Sequence, residues 1–165
     1  MRNSSRGKLR HLDLFSGCGG FTLAAKRSGG KVETTQFVEL DPDCHTILKD
    51  HWPYIPIAKD IRDYHCQPGD FDLITAGFPC TGTNNAGTRT GLNHPESALF
   101  REVLRIIAEC QPRFSIIEQP LGVIDRGLRA MLGGLRMVGY QSELEVISAA
   151  ELGAGHCRQR LFIIS

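Results

Sequence analysis

Strand-like and helix-like segments alternate along almost the whole chain, and this alternation restricts the possible folds more than any other feature of the sequence. Short apolar runs typical of strands are separated by stretches with helical spacing of apolar residues or by glycine-rich turns. The predicted strands are residues 11–15, 34–40, 55–58, 71–76, 113–118, 144–148 and 160–165. The predicted helices are residues 19–30, 41–51, 96–110 and 123–138. Such alternation predicts an α/β protein with a mostly parallel sheet.

The organisation of the chain indicates one domain. No internal repeat, linker or low-complexity tract interrupts it, and 165 residues with 41% hydrophobic content suffice for one core. We therefore expect a single domain over residues 11–165, preceded by a basic tail at residues 1–10. The last two strands are close enough to form a hairpin, so one strand near the C-terminus is predicted to run antiparallel. Residues 77–95 read as a long loop, and such loops are often functional.

Charge and hydropathy exclude two classes of protein. Lys and Arg total 19 and Asp and Glu total 18, so a formal net charge of +1 argues against strong autonomous binding to nucleic acid. No run approaches the roughly 18–20 apolar residues that span a bilayer, and no apolar signal core follows the basic N-terminus. We expect an intracellular protein without a membrane partner, in the cytoplasm or nucleoid, or in the nucleus of a eukaryote.

The six cysteines form no Cys-x-x-Cys pair, so neither a metal site nor a disulfide framework is predicted. Most of them are expected to be buried and inert. Cys80 is the exception, because it stands in the long loop beside Pro79, where core packing explains a thiol poorly. A nucleophile must be exposed and aimed, and this position provides both.

Ligands of open α/β sheets bind outside the carboxyl ends of the strands, so the residues that follow each strand are candidates for a site. After the first strand stand Phe15, Gly17, Gly19 and Gly20, where glycines let the backbone turn tightly and approach a ligand. This turn fits a dinucleotide site or a plain tight turn equally well.

Acidic residues follow the second, third and fifth strands. Glu39 can accept hydrogen bonds from the ribose hydroxyls of an adenosine ligand, whereas Asp41 equally fits a helix N-cap. Asp60 suits either an adenine amino group or a turn. Glu118, a carboxyl group in an apolar setting, can serve as a proton donor.

Two arginines stand at the start of the last predicted strand. Arg158 and Arg160 are two residues apart, so both can point toward one cleft. Surface salt bridges are the alternative for this pair.

Together these motifs resemble the catalytic core of the cytosine-5 DNA methyltransferases, from about His11 to Ser165. Residues 13–24, DLFSGCGGFTLA, are similar to the family's first motif, which holds S-adenosylmethionine. Residues 77–80, GFPC, match the Pro-Cys nucleophile motif, and Glu118 matches the glutamate that holds the cytosine. Residues 158–164, RQRLFII, resemble the late motif whose second arginine contacts the base carbonyl.

The resemblance implies a Rossmann-like fold of the S-adenosylmethionine-dependent methyltransferases and a product S-adenosylhomocysteine. It implies that the Cys80 thiolate adds to carbon 6 of cytosine, so that carbon 5 becomes nucleophilic enough to take the methyl group. Glu118 would stabilise the base ring, and Arg160, with Arg158 beside it, would bind the carbonyl oxygen. The residues expected at the cofactor are Asp13, Phe15, Gly17, Gly19, Gly20, Glu39, Asp60 and Pro79.

The chain also departs from the family pattern. Thr81, Thr83 and Asn84 replace the Gln, aromatic and Ser residues usual after the Pro-Cys pair. Gln119-Pro120 replaces Asn-Val, and His156 replaces the usual Gln before the two arginines. Family members continue into a DNA-reading domain and a last segment that completes the cofactor pocket. We therefore expect an incomplete core that binds DNA weakly alone and needs a C-terminal domain or a second subunit for target recognition.

Three alternatives remain open at the level of sequence. The altered Cys80 loop favours a non-catalytic, S-adenosylmethionine-binding or regulatory module, and RNA cytosine could replace DNA cytosine as the substrate. An oxidoreductase that binds a dinucleotide fits poorly, because Gly17, Gly19 and Gly20 lack the Gly-x-Gly-x-x-Gly spacing.

Overall fold

The computed structural model of the chain describes residues 7–79 and 95–165. Its strands are β1 (Leu9–Leu14), β2 (Val32–Val38), β3 (Ile57–Ala58), β4 (Leu73–Ala76), β5 (Phe114–Pro120), β6 (Glu143–Ser148) and β7 (Gln159–Ile164). Its helices are α1 (Gly20–Arg27), α2 (Pro42–His51), α3 (Pro95–Cys110), α4 (Val123–Arg126) and α5 (Leu128–Met137). None of the helices within the described ranges is long and apolar enough to cross a membrane.

The strands form one sheet in the order β3-β2-β1-β4-β5-β7-β6. The pairs from β3 to β5 are parallel, and β7 is antiparallel to both β5 and β6. The connection between β6 and β7 spans only residues 149–158, too short for the crossover that a parallel pair requires. The predicted fold class, a mostly parallel α/β sheet with one antiparallel strand near the C-terminus, is confirmed.

Several element boundaries differ from the prediction. The predicted helix at 123–138 is divided at Gly127, whose φ of −147° is not helical. Glycine has a low helix propensity, so the chain changes direction there at little cost. The predicted strand at 55–58 is reduced to Ile57–Ala58. Most of the predicted loop, including Cys80, lies outside the described residues.

The two faces of the sheet are covered differently. The apolar face packs against α3 and α5, and its buried strand residues include Leu12, Leu14, Ile74, Ala76, Ile117 and Ile163. On the opposite face, α1 and α2 lie over β1 and β2, where Trp52 packs against Phe37 with ring centroids 6.0 Å apart. Further along this face, Phe114 of β5 and Ile164 of β7 remain 43% and 39% exposed. Apolar surface therefore persists beside the half of the sheet that carries the antiparallel strand.

The described cysteines differ from the prediction. Cys66 and Cys110 are buried, but Cys18 and Cys157 are exposed and Cys44 is partly exposed. The expectation that most cysteines are buried is therefore wrong for the described part of the chain. Both exposed thiols lie in the glycine-rich segments that join elements, which sequence periodicity does not resolve.

Arg105 fastens α3 to the turn that follows β3. Its guanidinium donates to the carbonyl oxygens of Ile61 (2.7 Å) and Tyr64 (3.0 Å). It also forms ion pairs with Glu102 and Glu109 on its own helix, each at 2.7 Å. The planar, forked donor set of arginine allows one side chain to bind all four groups. Arg105 thus fixes the turn immediately after Asp60.

We predict that Arg105→Met lowers the free energy of unfolding by about 1–3 kcal/mol, because two carbonyl groups and two carboxylates each lose one hydrogen-bond donor. Urea denaturation measures this change. Arg129→Met is the matched control, since Arg129 is exposed on α5. Equal stability of the two variants would contradict the role given to Arg105.

Candidate active site at the carboxyl edge of the sheet

The loop between β1 and α1 wraps around the carboxylate of Glu39. The Gly17 N–H donates to Oε2 of Glu39 at 2.7 Å, and the Asp41 N–H donates to Oε1 at 2.9 Å. Phe15 and Gly17 both have a φ of +54°, which bends the loop back over the end of β2. The carboxylate is thus held in one orientation at the edge of the sheet.

Gly19 of this loop packs against Leu48 of α2 and against Trp52, which follows α2. Its φ is +81°, and a Cβ atom there would lie 2.6 Å from Cη2 of Trp52 and 3.2 Å from Cδ2 of Leu48. Both the backbone conformation and the contact with the indole ring therefore require glycine. At Gly17 and Gly20, by contrast, an added Cβ atom would have no neighbouring atom within 4 Å.

Asp13 lies beneath the loop and is 1% exposed. Thr22 of α1 donates to its Oδ2 at 2.8 Å and Thr75 of β4 to its Oδ1 at 3.0 Å, while the Ser16 hydroxyl donates to its carbonyl at 2.7 Å. Burial raises the pKa of Asp13 to about 6, against the lowering effect of the two threonine hydroxyls. The structure therefore places Asp13 as a support of the loop.

The acidic residues after β2 and β3 have local partners. Asp41 accepts from the Asp43 N–H at 2.8 Å and caps α2, which is the capping role considered for it. Asp60 accepts from the N–H and the Nε–H of Arg62, both at 2.9 Å, and these bonds hold its pKa below the usual value. Its carboxylate is thereby oriented within a turn at the end of β3.

Glu118 and Arg160 form an ion pair at the end of β5. Both side chains are about one quarter exposed, at 27% and 24%. Gly77, directly after β4, lies against this pair, because a Cβ on it would be 3.2 Å from Oε2 of Glu118. The segment leading to Cys80 thus passes immediately beside the predicted base-binding carboxylate.

Arg158 does not join this pair. It lies one residue before β7, is exposed, and forms no ion pair with another described residue. Its carbonyl accepts from the Ala149 N–H at 2.9 Å and so closes the turn between β6 and β7. Of the two arginines predicted to share a cleft, the structure brings only Arg160 to Glu118.

The segment before Cys80 is anchored by two residues that the sequence had not assigned to the site. The buried Gln119 side chain donates to the carbonyl of Phe78 at 3.1 Å. The Phe78 ring packs between Phe15 and Phe100, with centroids 6.0 and 5.9 Å away. Pro79 follows and is exposed. Phe78 therefore connects the β1–α1 loop with the segment that leads to Cys80.

A further polar group was missed at the level of sequence. His11 is fully buried between Thr34, 2.7 Å from Nδ1, and Thr75, 2.8 Å from Nε2. Burial lowers the pKa of His11 to about 4. The only signal in the sequence is the two-residue spacing of His11 and Asp13, which places both on one face of β1.

Comparison with known proteins finds one family model that matches almost the whole chain and relatives that match over part of their length. A family model described as C-5 cytosine-specific DNA methylase matches residues 9–165. The Type II methyltransferase M.CviJI of Paramecium bursaria Chlorella virus IL3A is 33% identical over 159 residues, covering 94% of this chain and 42% of that protein. M.NgoBV of Neisseria gonorrhoeae, also a Type II methyltransferase, is 28% identical over 172 residues, covering 94% and 41%. The chain spans less than half the length of these two relatives.

The fold is similar to that of a solved methyltransferase. The crystal structure of S. pombe Dnmt2 methyltransferase superposes with a TM-score of 0.77 at 20% identity, covering 95% of this chain and 50% of that one. At this identity the likeness concerns the fold.

We predict that Gly19→Ala destabilises the protein by about 2 kcal/mol or more, because it combines a positive φ with a clash against Trp52. Thermal unfolding followed by the fluorescence of Trp52 measures both the loss and the disturbed packing. Gly20→Ala is the matched control, since its Cβ meets open space, and its stability should change by less than about 0.5 kcal/mol. Similar effects of the two substitutions would contradict this account of the loop.

Proposed function

Because the chain belongs to the C-5 cytosine-specific DNA methylase family, we propose that it is the catalytic core of a DNA (cytosine-5-)-methyltransferase. It would transfer a methyl group from S-adenosylmethionine to carbon 5 of cytosine in DNA and leave S-adenosylhomocysteine. The observation that carries the proposal is the Glu118–Arg160 ion pair, which lies against the Gly77 segment that leads to Cys80. Three groups suited to one cytosine ring are thus attached to adjacent strands.

The residues after β1 and β2 fit the proposed cofactor. Each oxygen of Glu39 has accepted one N–H and keeps a free lone pair for a ribose hydroxyl. The open space beside Gly17 and Gly20 lets a ligand approach the backbone. When bound, S-adenosylmethionine supplies an electrophilic methyl group. The residues proposed to hold it are Phe15, Gly17, Gly19, Gly20, Glu39, Asp60 and Pro79, with Asp13 as their support from beneath.

The proposed chemistry on the base assigns a separate task to each group. The Cys80 thiolate forms a bond to carbon 6, which makes carbon 5 nucleophilic, and that bond breaks again when carbon 5 loses its proton after methylation. Glu118 would bind ring nitrogen 3 and the exocyclic amine, and Arg160 the carbonyl oxygen, with Arg158 nearby. Their mutual ion pair keeps both groups at one point until the base separates them. The cytosine must leave the DNA stack to reach this depth.

Target recognition is proposed to come from additional polypeptide, either in the same chain or in a second subunit. The chain covers 42% and 41% of two relatives, so each of those proteins contains more than the part matched here. The near-neutral charge supports weak DNA binding by this part alone. We place the activity inside the cell with its DNA substrate, and the names of the Type II relatives support a role in restriction–modification.

We predict that Glu39→Gln weakens binding of S-adenosylmethionine at least about tenfold, since the charged acceptor for the ribose hydroxyls is lost. Isothermal titration calorimetry with S-adenosylmethionine and S-adenosylhomocysteine measures the affinity. Glu33→Gln, which changes an exposed glutamate on β2, the strand that precedes Glu39, should bind both as tightly as the wild-type chain. Unchanged affinity in Glu39→Gln would overturn the proposed ribose contact.

The methyl-transfer chemistry is tested by capture of DNA that contains 5-fluorocytosine. The fluorine cannot leave as a proton does, so a functional site stays covalently bound to the DNA and forms a denaturation-resistant complex. We predict capture by the wild-type chain at low salt with S-adenosylmethionine, and none by Cys80→Ala. Cys157→Ala serves as the control, because Cys157 is exposed and has no proposed catalytic task. Cofactor binding without any capture would instead favour a non-catalytic module, and preferential capture of RNA would change the substrate.

A further inference from the structure

A line of buried polar side chains crosses three adjacent strands underneath α1. Thr34 of β2 is directly opposite His11 of β1, and Thr75 of β4 is directly opposite Asp13 of β1. All four side chains are at most 8% exposed. Hydrogen bonds of 2.7, 2.8 and 3.0 Å join Thr34 to His11, His11 to Thr75 and Thr75 to Asp13. An uninterrupted row of hydrogen-bonded side chains therefore runs across β2, β1 and β4 in the interior of the protein.

The number of available protons gives this chain a direction. The Thr75 hydroxyl has one proton and donates it to Asp13, so its oxygen must accept from Nε2 of His11. Because burial keeps His11 neutral, its Nδ1 carries no proton and accepts the hydroxyl proton of Thr34. Each hydrogen bond in this series therefore has its donor on the side away from Asp13 and its acceptor on the side toward it.

Asp13 in turn holds the start of α1. The N-cap residue of α1 is Gly19, which has no side chain to accept from the free N–H groups of the first turn. Asp13 binds this turn from the neighbouring strand, because its Oδ2 accepts from the hydroxyl of Thr22 at 2.8 Å. The conformation of the loop from Phe15 to Gly19 therefore depends on the state of a carboxylate below it.

We propose that His11 and Thr75 are positioning residues of the cofactor site, which act through Asp13 to keep the β1–α1 loop folded around Glu39. The inference rests on the proposed use of this loop for S-adenosylmethionine. Neither residue touches the ligand in this account. Their effect is to keep Asp13 in the ionised form that can accept from Thr75 and from the first turn of α1 together.

The electrostatic surroundings of Asp13 determine the pH at which this support is lost. The titratable groups that face it are His11 on β1 and Glu39 after β2, whereas α1 and β4 contribute the hydroxyls of Thr22 and Thr75. The pKa of Asp13 is about 6 and that of His11 about 4, so Asp13 is the group that changes charge between pH 7 and 5. We expect Asp13 to stay buried between β2 and β4 when the loop loosens and to lose only the Thr22 hydroxyl, a contact that lowers its pKa. The pKa of Asp13 is then higher in the loosened state, so protonation favours that state and the loop should loosen as the pH falls through about 6.

The test is Thr75→Val, which removes one hydroxyl with little change in volume, beside Thr75→Ser, which keeps it. Trp52 is the only tryptophan and packs on both Gly19 and the His51 ring, so its emission as a function of pH reports the loop, without any cofactor, through the difference between the wild type and the Thr75 variants, which share His51. Loss of the Thr75 hydrogen bond raises the pKa of Asp13, so we expect the pH midpoint of the Trp52 emission change to move up by about one pH unit in Thr75→Val. Thr75→Ser should retain the wild-type midpoint.

Calorimetry with S-adenosylmethionine provides the second measurement. If the pKa of Asp13 rises by about one unit in Thr75→Val, the ionised fraction of Asp13 at pH 6.5 falls to roughly one third of its wild-type value. At pH 8 the ionised fraction is almost the same in both proteins. Thr75→Val should therefore bind the cofactor about threefold more weakly at pH 6.5 and equally well at pH 8. If Thr75→Val does not fold, His11→Leu provides a second test, because it removes the donor to Thr75 in the same series of hydrogen bonds. It should move the pH midpoint of Trp52 emission in the same direction.

Identical Trp52 midpoints in the wild type and Thr75→Val would overturn the inference, as would an equal shift in Thr75→Ser. A loss of affinity that is the same at pH 6.5 and pH 8 would also overturn it, because it would indicate a packing defect alone. If the wild-type chain bound no S-adenosylmethionine at either pH, the proposed function would fail, while the Trp52 midpoints would still decide whether His11 and Thr75 hold the loop.

Discussion

The buried carboxylate of Asp13 is the interaction on which the site depends. A charge taken out of water is costly unless donors surround it, and here they come from Thr22 on α1 and Thr75 on β4. Through these hydrogen bonds the Asp13 carboxylate on β1 connects α1 and β4, and with them the loop between β1 and α1. With the start of α1 fixed in this way, the Gly17 N–H points at Glu39 and Gly19 can lie flat against Trp52. The loop that we propose to hold the cofactor is thus supported from beneath by a buried polar layer.

Strand direction explains why the predicted base-binding groups meet. The parallel strands all deliver their last residues to one edge, which places Glu39, Asp60 and the Gly77 segment there together. Because β7 runs the opposite way, its first residues lie at that same edge, and Arg160 reaches Glu118 from β7. Phe78 joins the two halves of the site, since it packs on Phe15 of the first loop and precedes Cys80 by two residues. The single antiparallel strand therefore contributes directly to the site.

Local features of the sequence predicted much of this arrangement but not all of it. Apolar periodicity located the strands to within a few residues, and the Pro42 and Asp41 pair marked the start of α2 correctly. The break at Gly127 was missed, because one glycine inside a helical pattern is compatible with either a continuous or a divided helix. The positions of Arg158 and of the exposed cysteines were missed because both lie in turns, where the direction of a side chain follows from long-range packing.

The sequence by itself determined the fold class, the placement of the candidate residues after the strands, and the family, because each of these is encoded by periodicity and short motifs. Only the tertiary structure decided which side chains bind each other. The pairs Glu118–Arg160 and Asp13–Thr75 join residues far apart in the chain, and His11 gains its partners only when β2 and β4 flank β1. A residue's neighbours along the chain specify its strand and its face, whereas the register between strands specifies its hydrogen-bond partners.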